Sequence, residues 1–186
     1  MKRSLAKILW YNLLHTLCRL TAVVVFRIRV QGRRHGSSPG ALLVCSNHQS
    51  HLDPVLIGLA LDRRVNYLAR DTLFAFAPFR WLIQSLDAIP IDREGGGLAG
   101  VKETLRRLKR SEAVVIFPEG TRAKNGQISP LKPGFLAMAR RGAAALLPVA
   151  IDGAFEAWPR SRILPWPSPI HLAIGEPLSA VEAAQL

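Results

Sequence analysis

Short apolar runs recur along this chain, at 41–46, 65–69, 87–91, 113–117, 146–151 and 170–174. They are mostly aliphatic or β-branched on consecutive positions rather than alternate ones, which is the pattern of strands buried on both faces. Stretches with helical spacing of apolar residues, at 54–61, 74–85 and 98–109, separate several of them. This alternation predicts an α/β domain with a largely parallel or mixed central sheet flanked by helices. A further strand is expected over 22–30, where Arg27 and Arg29 alternate with Phe26, Ile28 and Val30. The chain has 186 residues, 49% of them apolar, which is enough for one domain with a sizeable core. No repeat or interdomain linker divides it, and the proline- and tryptophan-rich stretch 158–169 reads as a long ordered loop.

The N-terminal stretch 5–26 is apolar enough to suggest a membrane span, but Asn12, His15 and Arg19 interrupt it. A central arginine costs roughly 2.5 to 3.5 kcal/mol on insertion scales, so a simple spanning helix is disfavoured. No small-x-small site follows Lys2, Arg3 and Lys7, which argues against a signal peptide. Leu5, Ile8, Leu9, Leu13, Leu17 and Leu20 fall at near-helical spacing beside Trp10, Tyr11 and cations. That suits a helix lying in the interface plane of a bilayer, and equally one packed on the domain's own core. The expected organisation is an N-terminal membrane-associating helix over 1–24 and a domain over 25–186.

Lys and Arg number 25 against 13 acidic residues, a formal charge of +12, so the chain is drawn to polyanions. Lys102, Arg106, Arg107, Lys109 and Arg110 crowd one helical segment, yet Val101, Leu105 and Leu108 give it the apolar stripe of an ordinary surface helix. The aromatics cluster away from those cations, at 74–81 and 158–166, which argues against nucleic acid as the partner. Two cysteines, Cys18 and Cys45, make no disulfide framework and fit a reducing location.

Two segments carry the chemistry: Asn47-His-Gln-Ser-His-Leu-Asp53 and Phe117-Pro-Glu-Gly-Thr-Arg122. On a regular helix, positions five apart are about 140° out of phase, so His48 and Asp53 meet only across a strand-to-helix turn. Ser50 or Asp53 as a cap, with Pro54 in the first helical turn, supplies one. Asp53 can then orient the ring of His48 and leave its other nitrogen to take a proton from an alcohol. From this segment alone a capping box with an ordinary loop histidine fits as well. A zinc site from His48, His51 and Asp53 lacks a recurrent ligand spacing. The second segment follows a strand, so Gly120, its neighbouring amides and Arg122 stand where open α/β sheets bind ligands, and Arg122 can hold a phosphate in a bidentate fork. Arg93 likewise follows a strand, and Lys132 precedes a helix.

Taken together, Asn47-His48 with Asp53, then Ile89 to Arg93, then Phe117 to Arg122, then Leu147-Pro-Val149 resemble, in order, the blocks of the glycerolipid acyltransferase family, the 1-acylglycerol-3-phosphate acyltransferases. The resemblance runs from about Val25 to Leu178. It implies that His48 and Asp53 are the catalytic pair, and that Arg93, Glu119, Gly120, Thr121 and Arg122 bind a phosphorylated acceptor with Lys132 as a further basic contact. It implies acyl transfer from acyl-CoA or acyl carrier protein to a lyso-phospholipid hydroxyl, without metal or other cofactor. It also implies a monotopic or peripheral enzyme at the cytoplasmic face of the inner membrane. The segment Arg70-Asp-Thr-Leu-Phe74 departs from the family's lysine-containing version and so assigns no role to Arg70. The chain is also short for the family, so a reduced membrane-docking part is expected.

Overall fold

The computed structural model describes residues 5–75, 77, 80–81, 83, 88–91, 98–132 and 134–185. Strands β1 (Arg29–Gln31), β2 (Leu42–Ser46), β3 (Val65–Arg70), β4 (Ala88–Ile91), β5 (Ala113–Ile116), β6 (Ala145–Asp152) and β7 (His171–Ile174) form a seven-stranded sheet in the order β1-β7-β6-β2-β5-β3-β4. Neighbours run parallel except β6 and β7, which are antiparallel. The fold is therefore α/β with a mostly parallel sheet, as the apolar runs predict. The helices among the described residues are α1 (Leu5–Val24), α2 (Asp53–Ala60), α3 (Leu98–Leu108), α4 (Gly134–Gly142), the single turn α5 (Ala154–Ala157) and α6 (Ala180–Gln185).

Why the central strands lack alternation is visible in β2. Leu42 and Val44 pack on one face with Leu56 and Ile57 of α2, while Leu43 packs on the other with Leu108 of α3, Ala139 of α4 and Ala183 of α6. Each of Leu42, Leu43 and Val44 is fully buried. With helices on both sides, every residue of such a strand gains from being apolar.

Two expectations are corrected. The strand expected over 22–30 is mostly helix: α1 continues to Val24, the chain turns through Arg27 at φ 44°, and only Arg29–Gln31 joins the sheet. Ala22 and Phe26 are buried, so packing holds the valines of this stretch in a helix against their β preference. The helix expected over 74–85 starts later than Phe74, which belongs to a 3-10 turn (Asp71–Phe74); Ala77, Arg80, Trp81 and Ile83 are helical as expected, and the other residues after Ala75 lie outside the described residues.

The apolar row of α1 faces outwards: Leu5, Leu9, Leu13, Leu17, Leu20 and Val24 are all exposed. This excludes the helix-on-core alternative for that row. No helix among the described residues is long and apolar enough to cross a membrane.

Candidate active site

The order β6-β2-β5, all parallel, brings the carboxyl ends of three strands side by side. The turn after β2 carries His48 and is tied to β6, and the loop after β5 carries Phe117 to Arg122. Segments some seventy residues apart in sequence thus meet at one edge of the sheet, where open α/β folds leave a crevice.

The turn 47–53 is held at nearly every residue. Asn47 is buried, donates from Nδ2 to the Ile151 carbonyl (2.8 Å) and accepts the Ile151 amide at Oδ1 (2.8 Å), locking the turn to β6. His48 donates its amide to Glu119 Oε1 (2.7 Å), and its carbonyl accepts the Ala123 amide (2.7 Å). Gln49 Nε2 donates to the Gly126 carbonyl (2.8 Å). The Trp158 carbonyl accepts both the Ser50 hydroxyl (2.8 Å) and the His51 amide (3.2 Å). Of the eight polar or charged side chains buried among the described residues, six (Ser46, Asn47, Gln49, Ser50, Asp53 and Glu119) belong to this region. Most of their polar atoms are hydrogen-bonded, although Gln49 Oε1 and Asp53 Oδ1 are buried without a partner among the described residues; such concentrated burial marks a scaffold built for geometry, because an apolar turn would be simpler to stabilise.

Asp53 opens α2 and is fully buried, with Pro54 behind it in the first turn. The residue at the helix cap is Leu52, not Ser50 or Asp53, and it makes no side-chain cap. Instead Asp53 Oδ2 folds back to accept from His48 Nδ1 and from the amides of Gln49 and Ser50, each at 2.7 Å. Three donors converging on one oxygen make it an acceptor, so Nδ1 carries hydrogen, and in the neutral ring Nε2 is then the nitrogen with the free lone pair. The ring stacks on Phe117, centroids 3.9 Å apart and planes 14° from parallel, and its side chain retains 16% exposure. A ring clamped on one face and oriented by a carboxylate, with an edge reaching solvent, is built to take a proton from a bound hydroxyl.

Around it stand groups suited to an anion. Gly120 sits at φ 71°, a left-handed conformation that disfavours a side chain, and an added Cβ would meet Lys132 Nζ at 2.8 Å. Lys132 is therefore folded over the β5 loop, to which its amide is also tied through the Pro118 carbonyl (3.0 Å). Arg122 is set against the ring of His51, with Nη1 2.5 and 2.6 Å from its two nitrogens. Burial first, and then the charge of Arg122, lowers the basicity of His51 and favours its neutral form. Thr121 is exposed in the same turn. His48, Asp53, Gly120, Thr121, Arg122 and Lys132 are thus gathered in one region, whereas Arg93 lies outside the described residues.

Glu119, which the resemblance puts among the acceptor-binding residues, has a structural role in the site. It is 3% exposed, and both carboxylate oxygens are occupied, Oε1 by the His48 amide (2.7 Å) and Oε2 by the Ser129 amide (2.8 Å). A carboxylate beside a phosphate would repel it, whereas here it ties the β5 loop to the turn bearing His48. The anchors Asn47, Gln49 and Trp158 were not singled out from the sequence for these roles. A run of polar residues directly after an apolar strand is their sequence signal, but nothing in it names a partner.

A sequence profile of the family described as Acyltransferase matches residues 27–152. A 1-acyl-sn-glycerol-3-phosphate acyltransferase of Bacillus subtilis is 30% identical over 161 residues, covering 86% of this chain and 77% of that protein. A protein of the same name from Pseudomonas aeruginosa is 30% identical over 74% of this chain, and one from Cocos nucifera is 29% identical over 76%. The chain spans about half of those two, 54% and 47% of their lengths. The crystal structure of the 1-acyl-sn-glycerophosphate (LPA) acyltransferase PlsC from Thermotoga maritima superposes with a TM-score of 0.81 at 22% identity, covering 95% of this chain and 71% of that one, and so shares the fold. A profile spanning most of the domain, and a relative matched over most of both chains, establish that this chain belongs to the Acyltransferase family.

Proposed function

We propose that this chain is an O-acyltransferase that moves a fatty acyl group from an acyl thioester to the free hydroxyl of lysophosphatidic acid, giving phosphatidic acid in phospholipid synthesis. The observation that carries this reading is the 2.7 Å bond between His48 Nδ1 and Asp53 Oδ2, which leaves Nε2 to act as a base, in the region where Arg122 meets His51 and Lys132 folds over Gly120. In the reaction His48 Nε2 takes the hydroxyl proton as the acceptor oxygen attacks the thioester carbonyl. The new C–O bond forms with a tetrahedral oxyanion, which collapses to break the C–S bond. The thiolate leaves and recovers a proton from the imidazolium. Buried Asp53 holds the ring through both steps and stabilises its cationic form. Arg122 and Lys132, with Arg93 by resemblance, hold the phosphate of the acceptor, and Gly120 lets the loop approach it. Balanced in this way, the step draws on no metal or redox cofactor.

The donor is acyl-CoA or acyl carrier protein, both acidic and both attracted to a chain of net charge +12. The exposed apolar row of α1 supports a monotopic or peripheral place on the membrane that carries the acceptor; the cytoplasmic face of the inner membrane is what the family resemblance implies, and two cysteines without a disulfide framework suit it. The test is a labelled acyl-thioester assay against a panel of lyso-lipid acceptors and glycerol-3-phosphate, with products identified by mass. The expected product is phosphatidic acid, and its yield should fall at least 10²-fold in His48→Ala, as for loss of a positioned base. Unchanged turnover in His48→Ala would refute the mechanism, and a product only from another acceptor would refute the substrate.

A further inference from the structure

The loop between α5 and β7 leaves three large apolar side chains in the open: Ile163 is 89% exposed, Leu164 71% and Trp166 68%. They sit together at its tip, and the loop that carries them is braced. Trp158 Nε1 donates to the carbonyls of Arg162 (3.1 Å) and Ile163 (3.2 Å), and Arg162 Nη1 donates to the Glu156 carbonyl (2.8 Å). The Trp166 amide donates to the Ala157 carbonyl (2.8 Å). Pro159, Pro165, Pro167 and Pro169 restrict the remaining backbone. A braced loop that turns an isoleucine, a leucine and a tryptophan to solvent forgoes burial it could have had, and such patches mark contact surfaces. Within the loop itself the charges are of one sign: no acidic residue lies between Glu156 and Glu176, while Arg160 and Arg162 directly precede the apolar tip.

We propose that this loop is a membrane-insertion tip, with Ile163, Leu164 and Trp166 entering the hydrocarbon boundary of an anionic bilayer and Arg160 and Arg162 meeting its headgroups. Tryptophan favours that boundary, and cations beside an apolar tip match a negative surface. The base of the same loop holds the catalytic turn, since the Trp158 carbonyl accepts from Ser50 and His51. Insertion therefore fixes the height of His48 relative to the headgroups, where the hydroxyl of a lyso-lipid is found. This consequence rests on the membrane-borne acceptor of the proposed function, whereas the binding itself does not.

The experiment compares the full chain with the triple variant Ile163→Ser, Leu164→Ser, Trp166→Ser by co-sedimentation with vesicles of phosphatidylglycerol and phosphatidylcholine, and of phosphatidylcholine alone. Removing three large apolar contacts should weaken partition into anionic vesicles on the order of 10²-fold, with thermal stability unchanged because the tip is exposed. Lipids brominated in the acyl chain should quench wild-type fluorescence by a fraction that Trp166→Phe loses. Acyl transfer in detergent solution, read on the same preparations, should be equal in wild type and triple variant and tests the proposed function separately. Equal vesicle partition, or equal quenching in wild type and Trp166→Phe, would overturn the proposal. A dimer that the triple variant converts to monomer with partition intact would also overturn it, assigning the tip to a second copy of the chain.

Discussion

Replacing Glu119 by glutamine separates the two roles a carboxylate in this loop can have. Its oxygens each accept a backbone amide, from His48 at 2.7 Å and Ser129 at 2.8 Å, in a site 3% exposed. Glutamine has the same shape but one oxygen, so its NH2 must face one of the two N–H groups. That leaves a buried donor unpaired, which costs about 1 to 3 kcal/mol, and turns the surviving charge-assisted bond into a neutral one worth roughly half as much. Relief of carboxylate desolvation offsets part of this, for a net loss of about 2 to 3 kcal/mol. In a chain of this size that lowers Tm by roughly 5 to 10 °C. Because one of the two amides belongs to His48, kcat should fall as well, by about 10 to 10²-fold for a base displaced by a fraction of an ångström. KM for the phosphorylated acceptor should hold or fall, since a negative charge has been removed from its surroundings. Thermal unfolding followed by circular dichroism, with steady-state kinetics on the same protein, reads all three quantities. A Glu119→Gln protein with wild-type Tm and kcat but a raised acceptor KM would refute the clamp and place this residue on the substrate.

Asp53→Asn keeps the shape of the turn but loses the anion that orients and stabilises the imidazolium, so kcat should drop on the order of 10² to 10⁴-fold with the fold retained; a drop below tenfold would count against the pair. Arg122→Ala should raise KM for the phosphorylated acceptor more than KM for the thioester, and the reverse order in initial-rate measurements would move Arg122 to the donor. The Arg106 guanidinium, with Arg107 beside it, holds the Glu103 carboxyl at about 2, below its ordinary 4.5. As the depressed value belongs to the folded chain, that stabilisation is full above pH 4.5 and fades as pH falls towards 2. After screening it amounts to ~1 kcal/mol, so urea unfolding of wild type and Glu103→Gln should differ at pH 7 and converge near pH 2.

What was legible in the sequence follows from local physics. Short, mostly apolar runs marked six strands, β2 to β7, to within a residue or two of their observed bounds; burial on both faces accounts for β2 and β5, whereas β6 beyond Leu147 and β7 alternate between buried and exposed positions. His48 and Asp53 were legible as a pair because a short strand-to-helix turn can join them without help from the rest of the chain. The tertiary structure decided what depends on distant partners. Whether 22–30 is helix or strand turned on the burial of Ala22 and Phe26, since the β preference of the valines is weaker than packing. That the row of leucines on α1 faces outwards, and that Ile163, Leu164 and Trp166 stand clear of the core, are facts of exposure that apolarity in sequence cannot distinguish from burial. The role of Glu119 depends on an amide 71 positions away, and that of Asn47 on a strand 104 positions away. A polar side chain announces that it needs hydrogen-bond partners, but only the path of the chain through the sheet determines which ones it finds.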